Sequence, residues 1–139
     1  MTIETENLTV SSTNGTLPSV PFLALKEKIL GKSYSLSISF VTPKKAQTLN
    51  KQYRNKEYIP NTLSFPLTKK SGEIILCLSA IKKEYKDFDM DYDKYLLFIV
   101  IHSMLHLKGY DHGSTMEHKE KQLLTIFSHT HEAKHKRRH

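Results

Sequence analysis

From Tyr92 to Lys108 the sequence is apolar on almost every side of a helical wheel. Tyr95, Leu96, Leu97, Phe98, Ile99, Val100, Ile101, Met104, Leu105 and Leu107 leave no polar stripe wide enough to face water. Such a helix must be covered on most sides, so the rest of the chain has to wrap around it. It does not read as a membrane span: the longest unbroken apolar run, residues 95–101, is seven residues, against the ~20 a bilayer requires. Gly109 is a natural stop. The acids Glu84, Asp87, Asp89 and Asp91 lead into the helix and suit its positive N-terminal end.

Two histidines interrupt this oily surface, His102 and His106. Four residues apart, they share one face and lie one turn from each other. After Gly109 the chain can double back and bring His112 to the same point. A lone histidine on an apolar helix is ordinarily a core residue with its ring satisfied. Two on a buried helix are harder to satisfy, because an unpaired buried ring nitrogen costs about 1–3 kcal/mol. A shared metal ion satisfies both. Three neutral imidazoles with a fourth position open is the arrangement of a catalytic zinc site. A structural zinc site favours cysteine, and the single cysteine, Cys77, lies 25 residues before His102. Three imidazoles would also hold Ni²⁺, Co²⁺ or Cu²⁺, so spacing alone does not select zinc.

Around this helix, helix and strand patterns alternate. Residues 3–7 suit a short edge strand, and residues 11–15 read as loop. Pro21 opens a helix to Leu30 with Phe22, Leu25 and Ile29 on one face and Gly31 as the stop. Tyr34, Leu36, Ile38 and Phe40 alternate with serines, the cleanest period-two strand in the chain. Thr42 caps a helix with Pro43 in its first turn, running to about Lys56 with Ala46, Leu49 and Tyr53 inward. Residues 62–65 form a short extended piece, and residues 73–78 an apolar strand. A further helix covers residues 79–85. Ser114 followed by Glu117 reads as a capping box, opening a last helix to about Phe127 with Met116, Leu123, Leu124 and Phe127 inward. The expected class is α+β. One domain over residues 1–130 has a small mixed four-stranded sheet packed around the central histidine-bearing helix. Residues 131–139 are expected to form a basic, disordered tail.

Charge narrows the choice of partner. Lysine and arginine number 21 against 14 acids, a net +7 over 139 residues, which favours a polyanion. Residues 44–70 carry Lys44, Lys45, Lys51, Arg54, Lys56, Lys69 and Lys70 against Glu57 alone. One cysteine, with no basic-then-apolar leader, points to a reducing cytoplasmic home with no membrane or obligate protein partner. Cys77 itself, on an apolar strand, reads as an inert core thiol. The spacing His-x3-His-x5-His with a Gly three residues after the second His is also that of a large metallopeptidase group. In those enzymes a glutamate base directly follows the first histidine; here Ser103 stands there, and a serine cannot take that proton at neutral pH. A zinc metallopeptidase-like hydrolase therefore stays an alternative only, beside a non-catalytic RNA- or ribosome-binding metalloprotein.

Three ordered segments together resemble the YbeY endoribonuclease family of rRNA maturation factors. The run His102-Ser-Met-Leu-His106-Leu-Lys-Gly-Tyr-Asp-His112 is similar to its zinc motif. Tyr53-Arg54-Asn55-Lys56 leading to Asn61-Thr-Leu-Ser-Phe-Pro66 is similar to its arginine segment and Leu-Ser-Phe-Pro turn. Gly72-Glu-Ile-Ile-Leu-Cys77 is similar to its Gly-acid-apolar-Cys strand. Ser103 replaces the family's usual Gly, and Glu73 its usual Asp. The resemblance implies a Zn²⁺-dependent, single-strand-specific endoribonuclease. It further implies a role in 3′-end maturation of small-subunit (16S) rRNA and in ribosome biogenesis and quality control, with rRNA and the small ribosomal subunit as partners. His102, His106 and His112 would then hold one Zn²⁺. Arg54, the sole arginine before the tail, would be catalytic, its planar fork matching phosphate oxygens. Lys56, Asn61 and Ser64 are candidate substrate contacts, and Asp111 is a candidate partner for a ligand ring N–H.

Overall fold

The computed structural model describes the backbone of residues 2–136 and the side chains of residues 2–128. The elements in chain order are β1 (Ile3–Thr5), β2 (Leu8–Ser12), α1 (Phe22–Ile29), β3 (Ser35–Phe40), α2 (Pro43–Arg54), β4 (Thr62–Thr68), β5 (Ser71–Leu76), α3 (Leu78–Glu84), α4 (Tyr92–Lys108) and α5 (Ser114–Lys136). A single 3-10 turn at Tyr85–Asp87 links α3 to the segment before α4. The strands form one mixed sheet of order β1-β2-β3-β5-β4. β2, β3 and β5 run parallel through the crossovers carrying α1 and α2, and β1 and β4 close the two edges antiparallel.

The architecture is the expected α+β domain with α4 at its centre, but the sheet has five strands where four were expected. The additional strand is β2, part of which reads as loop because of its serines and threonines. Its alternation is nonetheless present: Leu8 and Val10 are buried while Thr9 and Ser11 are not. Pairing with β3, Val10 against Ile38, decides the matter.

Leu36, Ile38 and Phe40 of β3 and Ile74 and Leu76 of β5 join the main core with α4 and α1. Nine apolar side chains of α4 are buried. At about 1.5–3 kcal/mol for each large side chain removed from water, no other helix contributes as much. Asp91 caps α4, its carboxylate accepting from the Lys94 N–H at 2.8 Å. At the far end Gly109, at φ 111°, takes the left-handed turn that stops the helix, and the Tyr110 N–H closes back on the Leu105 carbonyl at 3.0 Å. α2 covers the second face of the sheet, where Ala46, Leu63 and Ile75 are buried outside the main core.

Two helix ends differ from expectation. Ser114 is the first residue of α5 and not its cap; the Glu117 N–H donates to the Gly113 carbonyl, which puts Gly113 in the cap position. α5 also continues to Lys136, through six residues expected to be disordered, because no Gly or Pro stands between Ser114 and His139 to stop it. The remainder of that expected tail, residues 137–139, lies outside the described residues. No described helix is long and apolar enough to cross a membrane.

Candidate metal centre

His102 and His106 project from the last two turns of α4, and the 109–113 turn returns His112 to them. Their ligand-capable ring nitrogens all lie within 4.8 Å of one another. The hydrogen bonds fix which nitrogen of each α4 ring is available. His102 Nδ1–H donates to Oε2 of Glu120 at 2.6 Å. His106 Nδ1–H donates to the Tyr110 carbonyl at 3.2 Å. With both Nδ1 atoms spent as donors, the two Nε2 atoms are left to the cleft, and they stand 3.1 Å apart. Two imidazole nitrogens this close, with the His112 ring beside them, make a nitrogen donor set that fits a divalent metal. Burial, followed by the neighbouring His102 and His112 rings, lowers the His106 pKa below its ordinary 6.5, which keeps that ring neutral and able to ligate near pH 7. His112 is exposed, so the cluster opens to solvent on its side.

Glu120 was not anticipated. It lies on α5 in the stripe Met116, Glu120, Leu123, Leu124 and Phe127, and its carboxylate is buried at 6% exposure. An acid occupying a core position of an amphipathic helix was the available signal. The expected partner, Asp111, is exposed, and none of the hydrogen bonds among the described residues joins it to a ring. The residue before it, Tyr110, supplies a backbone carbonyl to His106 instead.

The three rings line one side of a cleft of about 680 Å³, and β4 and the end of α2 form the rest. Arg54 stands on the α2 lip, its Nη1 3.3 Å from Tyr58 Oη and 3.5 Å from Asn50 Oδ1. Asn50 is fully buried and also donates to the Tyr58 carbonyl at 3.0 Å, so one side chain orders both the arginine and the loop after it. Asn55 ends α2 in the left-handed conformation at φ 55°, which asparagine tolerates. Asn61 and Ser64 line the cleft, but their side chains are engaged: Asn61 donates to Glu84, and the Ser64 hydroxyl to the Ser103 carbonyl at 3.3 Å. Lys56 is exposed, two residues past Arg54. Ser103 is turned away from the cleft. It has 0% exposure, donates to the Ile99 carbonyl at 2.8 Å and meets Thr62 Oγ1 at 2.8 Å. No carboxylate stands among the cleft-lining residues that are described. Tyr53, expected to face the core, is 62% exposed and lines the cleft, because α2 ends at the sheet edge with only β4 beneath it. Cys77 is a buried free thiol, though it stands one residue past the end of β5, at the N-cap of α3.

Fold and cluster together define an α+β protein whose central helix presents imidazoles to an open, carboxylate-free cleft. The family model for Endoribonuclease YbeY matches residues 3–130. The protein called Endoribonuclease YbeY in Finegoldia magna is 32% identical over 114 residues, covering 73% of this chain and 74% of that protein. Its namesake in Alkaliphilus oremlandii is 33% identical over 110 residues, covering 68% and 73%. The solution structure of TM1509 from Thermotoga maritima shares the fold with a TM-score of 0.61 at 24% identity, covering 91% of this chain and 93% of that one. The chain belongs to the YbeY endoribonuclease family.

Proposed function

We propose that this chain is a single-strand-specific, Zn²⁺-dependent endoribonuclease of the cytoplasm. Its substrate is ribosomal RNA on the small subunit, and its work is 3′-end maturation and ribosome quality control. The observation that carries this reading is the clustering of the His102, His106 and His112 ring nitrogens in a cleft whose lip bears the one arginine of a basic segment.

His102, His106 and His112 would hold the metal, which when bound supplies a Lewis acid and makes water more acidic. Glu120 and the Tyr110 carbonyl keep the His102 and His106 rings turned so that Nε2 faces the cleft. Arg54, braced by Asn50 and Tyr58, offers its fork to the phosphate and to the charge that grows there as the bond breaks. Lys56 adds attraction for the RNA backbone. Asn61 and Ser64 shape the floor of the cleft between the rings and the Arg54 lip. A cleft without carboxylates suits a polyanion and gives a peptidase no base, which favours the nuclease reading over the peptidase one.

The test uses protein purified without an affinity tag. Zn²⁺ near one equivalent by elemental analysis is expected, together with cleavage of single-stranded but not duplex RNA that chelation stops and Zn²⁺ restores. Chelator-sensitive hydrolysis of unstructured peptides would overturn the reading in favour of a peptidase. RNA binding without cleavage, at full metal occupancy, would overturn it in favour of a non-catalytic ribosome-binding protein.

A further inference from the structure

An aromatic ring exposed at the end of a helix is out of place unless something covers it. Tyr53 sits at a position where the apolar spacing of α2 points inward, yet 62% of it is in water. Beneath it lies Phe65, which meets it edge-on with centroids 5.3 Å apart and planes at 61°. Phe65 is in turn fixed in the sheet by the pairing of β4 with β5, where it stands opposite Glu73. Both rings line the cleft that holds the histidine cluster. A second tyrosine, Tyr58, is 54% exposed, and its hydroxyl lies 3.3 Å from the Arg54 guanidinium. Arg54 therefore has two uncovered aromatic side chains close by, Tyr53 next to it in the chain and in the same cleft, and Tyr58 bonded to it.

Base stacking on an aromatic face needs an unpaired base, tolerates any sequence, and works best when the ring is held rigidly. Duplex RNA keeps its base faces stacked on one another and has none to offer. Building on the endoribonuclease reading, we infer that Tyr53, braced by Phe65, is a base-stacking subsite. It binds the nucleobase next to the phosphate that Arg54 holds, and so discriminates single-stranded from paired RNA. Tyr53 binds substrate and takes no part in bond breaking. Its hydroxyl has no assigned role; its ring does.

The probe is a single-stranded RNA oligonucleotide with 2-aminopurine at successive positions, whose fluorescence falls when that base stacks. Intact wild-type protein, Tyr53→Phe and Tyr53→Ala are compared before cleavage proceeds and then through steady-state cleavage. Wild type is expected to quench one position strongly, Tyr53→Phe to quench it comparably, and Tyr53→Ala to lose the quench. Tyr53→Ala is expected to raise KM by about 5- to 150-fold, the value of one stacked base, with kcat changed far less. On RNA abasic at the quenched position, wild type and Tyr53→Ala are expected to bind alike. A Tyr53→Ala protein that quenches and binds like wild type overturns the inference. So does a loss that Tyr53→Phe shares, or one that persists in full on abasic RNA. Position-specific quenching by a wild type that never cleaves RNA would support the subsite and sink the catalytic reading alone. Chelator-sensitive RNA cleavage by Tyr53→Ala with both KM and quenching unchanged would do the reverse.

Discussion

Replacing Glu120 tests whether the imidazoles are held for a metal or merely packed. Its carboxylate accepts from His102 Nδ1–H at 2.6 Å, with 7% of the glutamate side chain and 19% of the histidine side chain exposed. A charge-assisted bond this short and this well shielded lies at the strong end of its class, about 1.5–3 kcal/mol. Partners of this kind behind metal-ligating histidines are worth about 10- to 100-fold in metal affinity, or about 1.4–2.7 kcal/mol. Glu120→Ala leaves the ring N–H without a partner and lets the ring turn, so a loss in the upper part of that range is expected. Glu120→Gln keeps an acceptor but removes the charge, so about tenfold is expected. Zn²⁺ affinity is measured by competition with a chromophoric chelator, and thermal melting is followed with and without metal. In the metal-free protein the lost hydrogen bond is partly offset by relief of a buried carboxylate. The melting temperature should therefore fall more in the metal-loaded form than in the metal-free form. Zn²⁺ affinity within twofold of wild type in both variants would refute the reasoning, as would equal destabilisation of the two forms.

Arg54→Ala should cut RNA cleavage by about 10²- to 10³-fold while metal content and melting stay put; Lys56→Ala should only weaken binding and flatten its salt dependence. Identical behaviour of the two, in cleavage and in salt titrations, would remove the special role of Arg54. Ser103→Glu places an unpaired carboxylate at a position with 0% exposure. It should cost several kcal/mol, a large share of the ~5–15 kcal/mol that holds a domain together, and should create no peptidase. A soluble variant melting like wild type would count against it. In Gly72→Ala the new methyl would strike Tyr34 Oη and approach Leu107 Cδ2 at 3.0 Å. A loss of about 1–3 kcal/mol is expected. Adding Tyr34→Phe should restore part of it, since that buried hydroxyl has no hydrogen-bond partner among the described residues. Denaturant melts of the single and double variants check this.

What the sequence made legible was what local pattern determines. α4, its Gly109 stop and the proximity of His102 and His106 follow from helix periodicity, and β3 from strict alternation. What it hid depends on contacts between distant segments. β2 exists because β3 offers it a partner, and five residues of serine, threonine and two aliphatics do not announce that. Glu120 meets His102 across 18 residues of sequence; an acid in the core stripe of α5 marks Glu120, but nothing local names His102 as its partner. Tyr53 occupies a core position by spacing and a surface position in fact, since periodicity says which face a residue is on but not where the neighbouring sheet ends.

The hydroxyls of Thr62 and Ser64 fasten β4 to α4 around Ser103, so the imidazole side of the cleft and its floor move as one piece with the core. The opposite lip, residues 55–59, is exposed throughout. Gln47 holds it through the Glu57 carbonyl at 2.7 Å, Asn50 holds it through the Tyr58 carbonyl, and the Lys56 N–H reaches back to the Asn50 carbonyl at 3.3 Å. Amide protons on α4 should therefore be among the slowest to exchange and those of the lip among the fastest. Under the proposed function, chemistry and grip would thus hang on parts of very different opening cost. Substitutions in the lip could then retune the RNA bound while leaving the rings, and the stability that depends on their helix, untouched.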